Sequence, residues 1–256
     1  LLVNTSIKAQ ASQERQETII PAAERPGAYL PLLYGKRVAL VANHTAMVQD
    51  EHLVDFLLSN KVDLKKVFAP EHGFRGSASA GETIKDGRDT KTNLPLISLY
   101  GDNKKPTAEQ LADIDIIVFD IQDVGARFYT YISTMAYVLE AAAELKIKVV
   151  ILDRPNPNGY YVDGPVLDLK HRSFVGMHQV PIVHGMTVGE YALMLNGEDW
   201  LRGGVQCNLE VVSCQNYDHT MHYDLPIKPS PNLPNANSIS LYPSLCLFEG
   251  TSVSVG

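Results

Sequence analysis

The stretches DIIVFDIQDVG (115–125), TYISTMAYVLEAAAELK (130–146) and KVVILDRPNP (148–157) decide the fold. The first carries the most strongly apolar strand of the chain, with IIVF (116–119) at its centre, the pattern of a strand covered on both faces. The second has the apolar spacing of an amphipathic helix, and the third is another short apolar run. A strand, a helix and a strand in this order form a crossover unit, which joins parallel neighbours.

Working outward, the same alternation extends towards the N-terminus. KRVALVAN (36–43), LKKVFAPE (64–71) and LPLISLYG (94–101) read as strands. DEHLVDFLLSN (50–60) has helical spacing through Leu53, Phe56 and Leu57, and PTAEQLADI (106–114) opens a helix with Pro106 and Thr107 at its cap. The expected fold is α/β, a Rossmann-like parallel sheet with helices on both faces, spanning residues 27–165. Residues 1–26 read as a tail or lead-in. Residues 166–256 read as a second, smaller α/β unit, with a helix over TVGEYALMLNG (187–197), a strand in CNLEVVSC (207–214) and the proline-rich LPIKPSPNLPNANS (225–238). The segment FEGTSVSVG (248–256) carries no stop signal, so this unit is expected to be incomplete.

The composition excludes several classes of function. The 256 residues are 45% hydrophobic and 20% charged, with a formal net charge of −7 and no long basic run. Nucleic acid and anionic membrane are therefore poor partners. Cys207, Cys214 and Cys246 match neither a disulfide framework nor a zinc pattern. No apolar stretch is long enough to span a membrane. Ala9-Gln10-Ala11 resembles a signal-peptidase site, which raises the expectation of export.

Each strand of the first unit ends in a polar group. These are Asn43-His44-Thr45, then Glu71-His72 with Arg75, then Tyr100-Gly101, then Asp120, Gln122, Asp123, Arg127, Tyr129 and Tyr131, and last Asp153-Arg154-Pro155-Asn156-Pro157. In an open parallel sheet these ends share one edge, where ligands bind. No G-x-G-x-x-G follows the first strand, which reads VANHTAMVQ, so a dinucleotide is not expected. The phosphate-cradling G-x-x-x-x-G-K-[ST] and the serine-hydrolase G-x-S-x-G are also missing. His44, His52, His72, Asp120 and Asp123 are of metal-ligating type, but they form no H-x-H or H-E-x-x-H pattern. No metal and no cofactor are expected.

Carboxylate chemistry remains. A glutamate at the dry end of a buried strand holds its proton closer to neutral pH, as a general acid must. Arg75, Arg127 and Arg154 suit a substrate carboxylate, and Tyr129 and Tyr131 suit a sugar ring. An ion pair of Arg127 with Asp123 is the plain structural alternative. On residues alone the reading stops at a hydrolase or binder of a polar ligand, with arginines that suit an anionic one.

PEHGFRG (70–76), AGE (80–82), LPLISLYG, FDIQDVGARFYTYISTM (119–135), LDRPNPNG (152–159), GPVLD (164–168), SFVGMHQVPIVHGMTVGE (173–190), PSPNLP (229–234) and FEGTSVSVG occur in this order. Together they closely resemble the exo-β-N-acetylmuramidases of glycoside hydrolase family 171. The resemblance implies release of terminal N-acetylmuramic acid from the non-reducing end of peptidoglycan fragments, in cell-wall recycling. It also implies an exported protein (periplasmic, extracellular or a surface lipoprotein), no cofactor, and an active site between two domains. The family's catalytic glutamate maps onto Glu71, the expected general acid. Asp120 or Asp123 would then be base or electrostatic partner, and Arg127 would hold the lactyl carboxylate. His72 and Arg75 would shape the loop, with Asn43, Gln122, Tyr129 and Tyr131 in the site. Asp153, Arg154 and Asn156 would border it, and Ser230 and Asn232 would approach from the second unit. A non-catalytic muropeptide-binding protein and a metal-dependent hydrolase remain as rival readings. Retention or inversion stays open, because it depends on a distance between carboxylates.

Overall fold

The computed structural model of the chain describes residues 18–71, 73–75 and 86–251. Its strands are β1 (Arg37–Ala42), β2 (Met47–Val48), β3 (Glu51–His52), β4 (Asp63–Ala69), β5 (Gly87–Arg88), β6 (Pro95–Ser98), β7 (Ile116–Asp120), β8 (Lys148–Leu152) and β9 (Leu209–Val212). Its α-helices are α1 (Pro26–Leu33), α2 (Leu53–Ser59), α3 (Ala108–Leu111), α4 (Tyr131–Leu145), α5 (Val188–Gly197) and α6 (Ala236–Leu245).

The central sheet has the order β5-β6-β4-β1-β7-β8-β9. All its pairings are parallel except the short β5 edge, so the α/β expectation is borne out. The chain runs outward from β1 through β4 to β6, then crosses back to β7 on the other side of β1. That reversal opens a crevice beyond the carboxyl ends of β1 and β7, which lie level, with Ala42 beside Asp120.

Two apolar layers hold the sheet. Alternation along each strand sends Val38, Leu40, Ala42, Val150 and Leu152 to the face covered by α1 and α2. It sends Ala39, Val41, Ile117, Phe119 and Ile151 to the face covered by α4 and α5. The strand β9 comes from the segment expected to form the second unit, yet it pairs in parallel with β8 in this same sheet. Within the expected lead-in, Ile20 bridges Gln215, Ala22 donates its N–H to the Asp153 carbonyl, and Ala22 and Ala23 are fully buried.

The turn after β7 depends on Gly125. Its φ is +75°, and a Cβ there would lie 2.3 Å from the Asn156 side-chain oxygen, which Asn158 N–H already holds. Gly125→Ala adds a clash to a strained backbone. It is expected to destabilise the fold by at least about 2 kcal/mol in chemical denaturation, with an unchanged slope against denaturant.

Candidate active site

At the carboxyl end of β1, the fully buried Asn43 accepts from Thr45 N–H at 2.9 Å and from its hydroxyl at 2.6 Å. The Thr45 hydroxyl accepts from Gln122 N–H at 3.0 Å, tying β1 to the segment after β7. The Gln122 amide donates to the Asp123 and Pro155 carbonyls, both at 2.8 Å. Behind this floor, the His52 ring accepts the first free N–H of α2 at Nδ1, so its Nε2 donates to the Asn43 carbonyl.

Asp120 and Arg154, expected separately as a candidate base and an anion ligand, are each other's partners. The guanidinium grips the carboxylate through Nε and through a second nitrogen at 2.8 Å, in full burial, and also reaches the Met47 carbonyl. Neither group faces the crevice with a free charge. Arg75 is likewise held, by both oxygens of Asp89 at 2.8 Å and by Asp55 at 3.4 Å. That guanidinium keeps the Asp89 carboxyl far below the usual carboxylate range. Asp153 accepts from Gly189 N–H, from the Thr187 hydroxyl and from Arg154 N–H, so it caps α5. Asn156 braces the loop after β8 through Asn158 and Met186. These side chains build the site's frame.

The expected Arg127–Asp123 ion pair does not form. Arg127 turns to the Pro165 and Val180 carbonyls, and its Nε is buried without an acceptor. Burial lowers the affinity of this guanidinium for its proton, and among the described residues no carboxylate pairs with it. Asp123 faces His184 instead. One Asp123 oxygen accepts from Gly125 N–H at 2.6 Å and lies 3.8 Å from His184 Nε2, and the other has no partner. Burial raises the Asp123 carboxyl to about 7 and lowers the His184 imidazole to about 3, so near pH 5 both are neutral. The reading of residues alone passed over His184, whose place beside Asp123 depends on a bridge between Ala126 and Val183.

Glu71 lies two residues beyond β4, half-buried, in a turn closed by Gly73 N–H on the Pro70 carbonyl. The Tyr131 hydroxyl donates to the Glu71 carbonyl at 3.5 Å. Burial raises the Tyr100 phenol above its usual value, and the adjacent Glu71 carboxylate, to which it is hydrogen-bonded, adds to this. Tyr131 packs edge-on against Tyr129, with ring centres 4.8 Å apart, and Tyr129 against Tyr242 at 5.9 Å. Tyr129 donates to the Pro229 carbonyl at 2.8 Å and contacts the buried Ser230, whereas Asn232 is exposed. His72 lies outside the described residues.

A depression of about 400 Å³ is lined by His44, Met47, Asp50, Glu51, His52, Asp55, Arg75 and Lys91. It contains neither Glu71 nor the tyrosines, and Asp55 already pairs with Arg75 and Lys91. The glutamate with its tyrosine wall is the better candidate for chemistry. Among the described residues no three His, Cys, Asp or Glu side chains gather as a metal site, and no helix is long and apolar enough to cross a membrane.

Residues 38–237 match the family described as "Exo-beta-N-acetylmuramidase NamZ, N-terminal". The chain is 42% identical over 260 residues to the "Peptidoglycan beta-N-acetylmuramidase NamZ" of Bacillus subtilis (strain 168), covering 99% of this chain and 60% of that protein. A crystal structure of a DUF1343 family protein from Bacteroides fragilis NCTC 9343 superposes with a TM-score of 0.84 at 51% identity, over 92% of this chain and 63% of that one. A second DUF1343 protein of the same organism gives 0.81 at 38% identity, over 91% and 60%. The chain thus spans about three fifths of the length of these relatives.

Two substitutions test the frame. Arg154→Met strands the Asp120 charge in the interior and is expected to cost about 3–5 kcal/mol in chemical denaturation, with part of the loss recovered in Asp120→Asn/Arg154→Met. The Asp123 carboxyl is raised on folding, so its contribution is present below about pH 4 and lost as pH climbs through about 7. Asp123→Asn removes that loss. Its melting temperature relative to the parent protein should therefore rise between pH 5 and pH 8, by an amount equivalent to about 3 kcal/mol at most.

Proposed function

The chain belongs to the family of exo-beta-N-acetylmuramidases called NamZ, through its N-terminal part, and on that premise we propose that it takes part in removing terminal N-acetylmuramic acid from peptidoglycan fragments. The observation that carries this reading is the placement of Glu71. It stands past the end of β4, half-buried, with the Tyr100 phenol at its carboxyl and Tyr131 on its carbonyl. A carboxyl held this way is aimed by its neighbours and partly screened from water, which suits a proton donor to a leaving oxygen.

In this reading Glu71 protonates the glycosidic oxygen as the bond to the anomeric carbon breaks. The tyrosine wall offers ring faces to the sugar. Arg127, a buried cation lacking a carboxylate partner among the described residues, suits the lactyl carboxylate that distinguishes N-acetylmuramic acid from N-acetylglucosamine. Because the polymer lies outside the cytoplasmic membrane, we further propose that the protein is exported and acts in recycling of wall fragments.

The test is incubation of the intact protein with the disaccharide of N-acetylmuramic acid β-linked to N-acetylglucosamine. Release of the free amino sugars is expected, reduced about 10²–10⁴-fold in Glu71→Gln and unaffected by a chelator. No release by the parent protein, or equal release by the variant, defeats the assignment.

A further inference from the structure

A glycosidase that works by paired carboxylates needs a second group to activate water, and neither aspartate of the floor is free to do so. Asp120 is spent on Arg154, and Asp123 is buried beside His184. Another carboxyl does stand near Glu71. Past the end of α6, a 3-10 turn over Cys246–Gly250 carries Glu249. As a residue Glu249 is exposed, but the buried Tyr242 donates its hydroxyl to Glu249 Oε1. Tyr242 is the far ring of the wall that begins at Tyr131 on the Glu71 carbonyl. Glu71 and Glu249 therefore stand at the two ends of the same three tyrosines.

Three further observations bear on its place. Partial burial raises the Glu249 carboxyl, the Tyr242 bond opposes this, and the Glu71 charge adds to the rise, so the two carboxyls lie within reach of each other's charge. The fully buried Cys246 feels both the Glu249 charge and the Arg127 guanidinium, which places that cation in the neighbourhood of Glu249. Tyr242 donates to one Glu249 oxygen, and a carboxylate has a second oxygen with which to accept from a water.

We propose that Glu249 is the second carboxylate of the active site and acts as the base opposite Glu71; this deepens, and rests on, the muramidase reading above. Glu249 takes a proton from a water molecule, whose oxygen bonds to the anomeric carbon. The anomeric bond to the departing sugar breaks, its electron pair stays on the departing oxygen, and that oxygen takes the proton of Glu71. One water is consumed, and both carboxyls return to their starting states by exchange with solvent. Tyr242 is the positioning residue that orients Glu249.

The test compares Glu71→Gln, Glu249→Gln, Glu249→Ala and Tyr242→Phe in the intact protein on two substrates. One is the natural disaccharide, and the other is a 4-nitrophenyl glycoside of N-acetylmuramic acid, whose leaving group departs without a proton. Glu249→Gln should lose about 10²–10⁴-fold in kcat on both substrates, with KM within threefold. Glu71→Gln should lose far less on the nitrophenyl glycoside. Azide should restore turnover of that glycoside by Glu249→Ala, giving a glycosyl azide, and Tyr242→Phe should lower kcat about tenfold with an unchanged melting temperature. A folded Glu249→Gln that keeps a third or more of kcat on both substrates overturns the inference, as does failure of azide to act on Glu249→Ala. An inactive parent protein is a different result: it removes the muramidase reading itself, and the inference with it.

Discussion

The ion pair of Asp120 and Arg154 is the interaction around which the carboxyl edge of the sheet is organised. Asp120 closes β7 and Arg154 follows the end of β8, so their bond locks two neighbouring strands where the chain leaves the sheet. Two charges in so dry a place are tolerable only together, and the Nη2 that grips Asp120 also donates to the Met47 carbonyl. The pair also governs what packs behind it. The Tyr29 hydroxyl feels both charges with opposite sign and donates to the Ala23 carbonyl, so α1 and the segment before it close over this end of the sheet.

Once those charges are spent, the site is narrowed. Asn43, Thr45, Gln122, Asp153 and Asn156 are occupied in linking the loops after β1, β7 and β8 to one another. A floor cross-linked in this way holds its side chains in register. The groups with capacity to spare lie to one side, against α4 and α6. Glu71 and Glu249 end a row of tyrosines there, and Arg127 has no carboxylate partner among the described residues.

Part of this was legible in the residues. The strands β1, β6, β7 and β8 fall inside their expected stretches, β4 starts one residue early, and α4 and α5 nearly coincide with theirs, because apolar periodicity is written locally. The helices α1 and α6 were hidden, since each contains an internal proline, Pro31 or Pro243, that reads as a breaker. The edge strand β9 was visible as a strand, but nothing local assigned it to the sheet of β8. Within the site, the convergence of strand ends was readable and the pairing of the charges was not. Arg75, Arg127 and Arg154 look alike in the chain. One grips Asp89, one two carbonyls, and one Asp120.

The sequence by itself determined that a parallel α/β sheet forms and that polar residues gather along its carboxyl edge. Its family motifs also single out Glu71. Both follow from patterns a few residues long, since burial selects side chains at the period of each element. Only the tertiary structure decided which of those polar groups remain free. Charge partners come from segments 14 residues apart, as for Arg75 and Asp89, or 34 apart, as for Arg154 and Asp120. An electrostatic bond depends on the distance between atoms in space, and no local pattern encodes that distance.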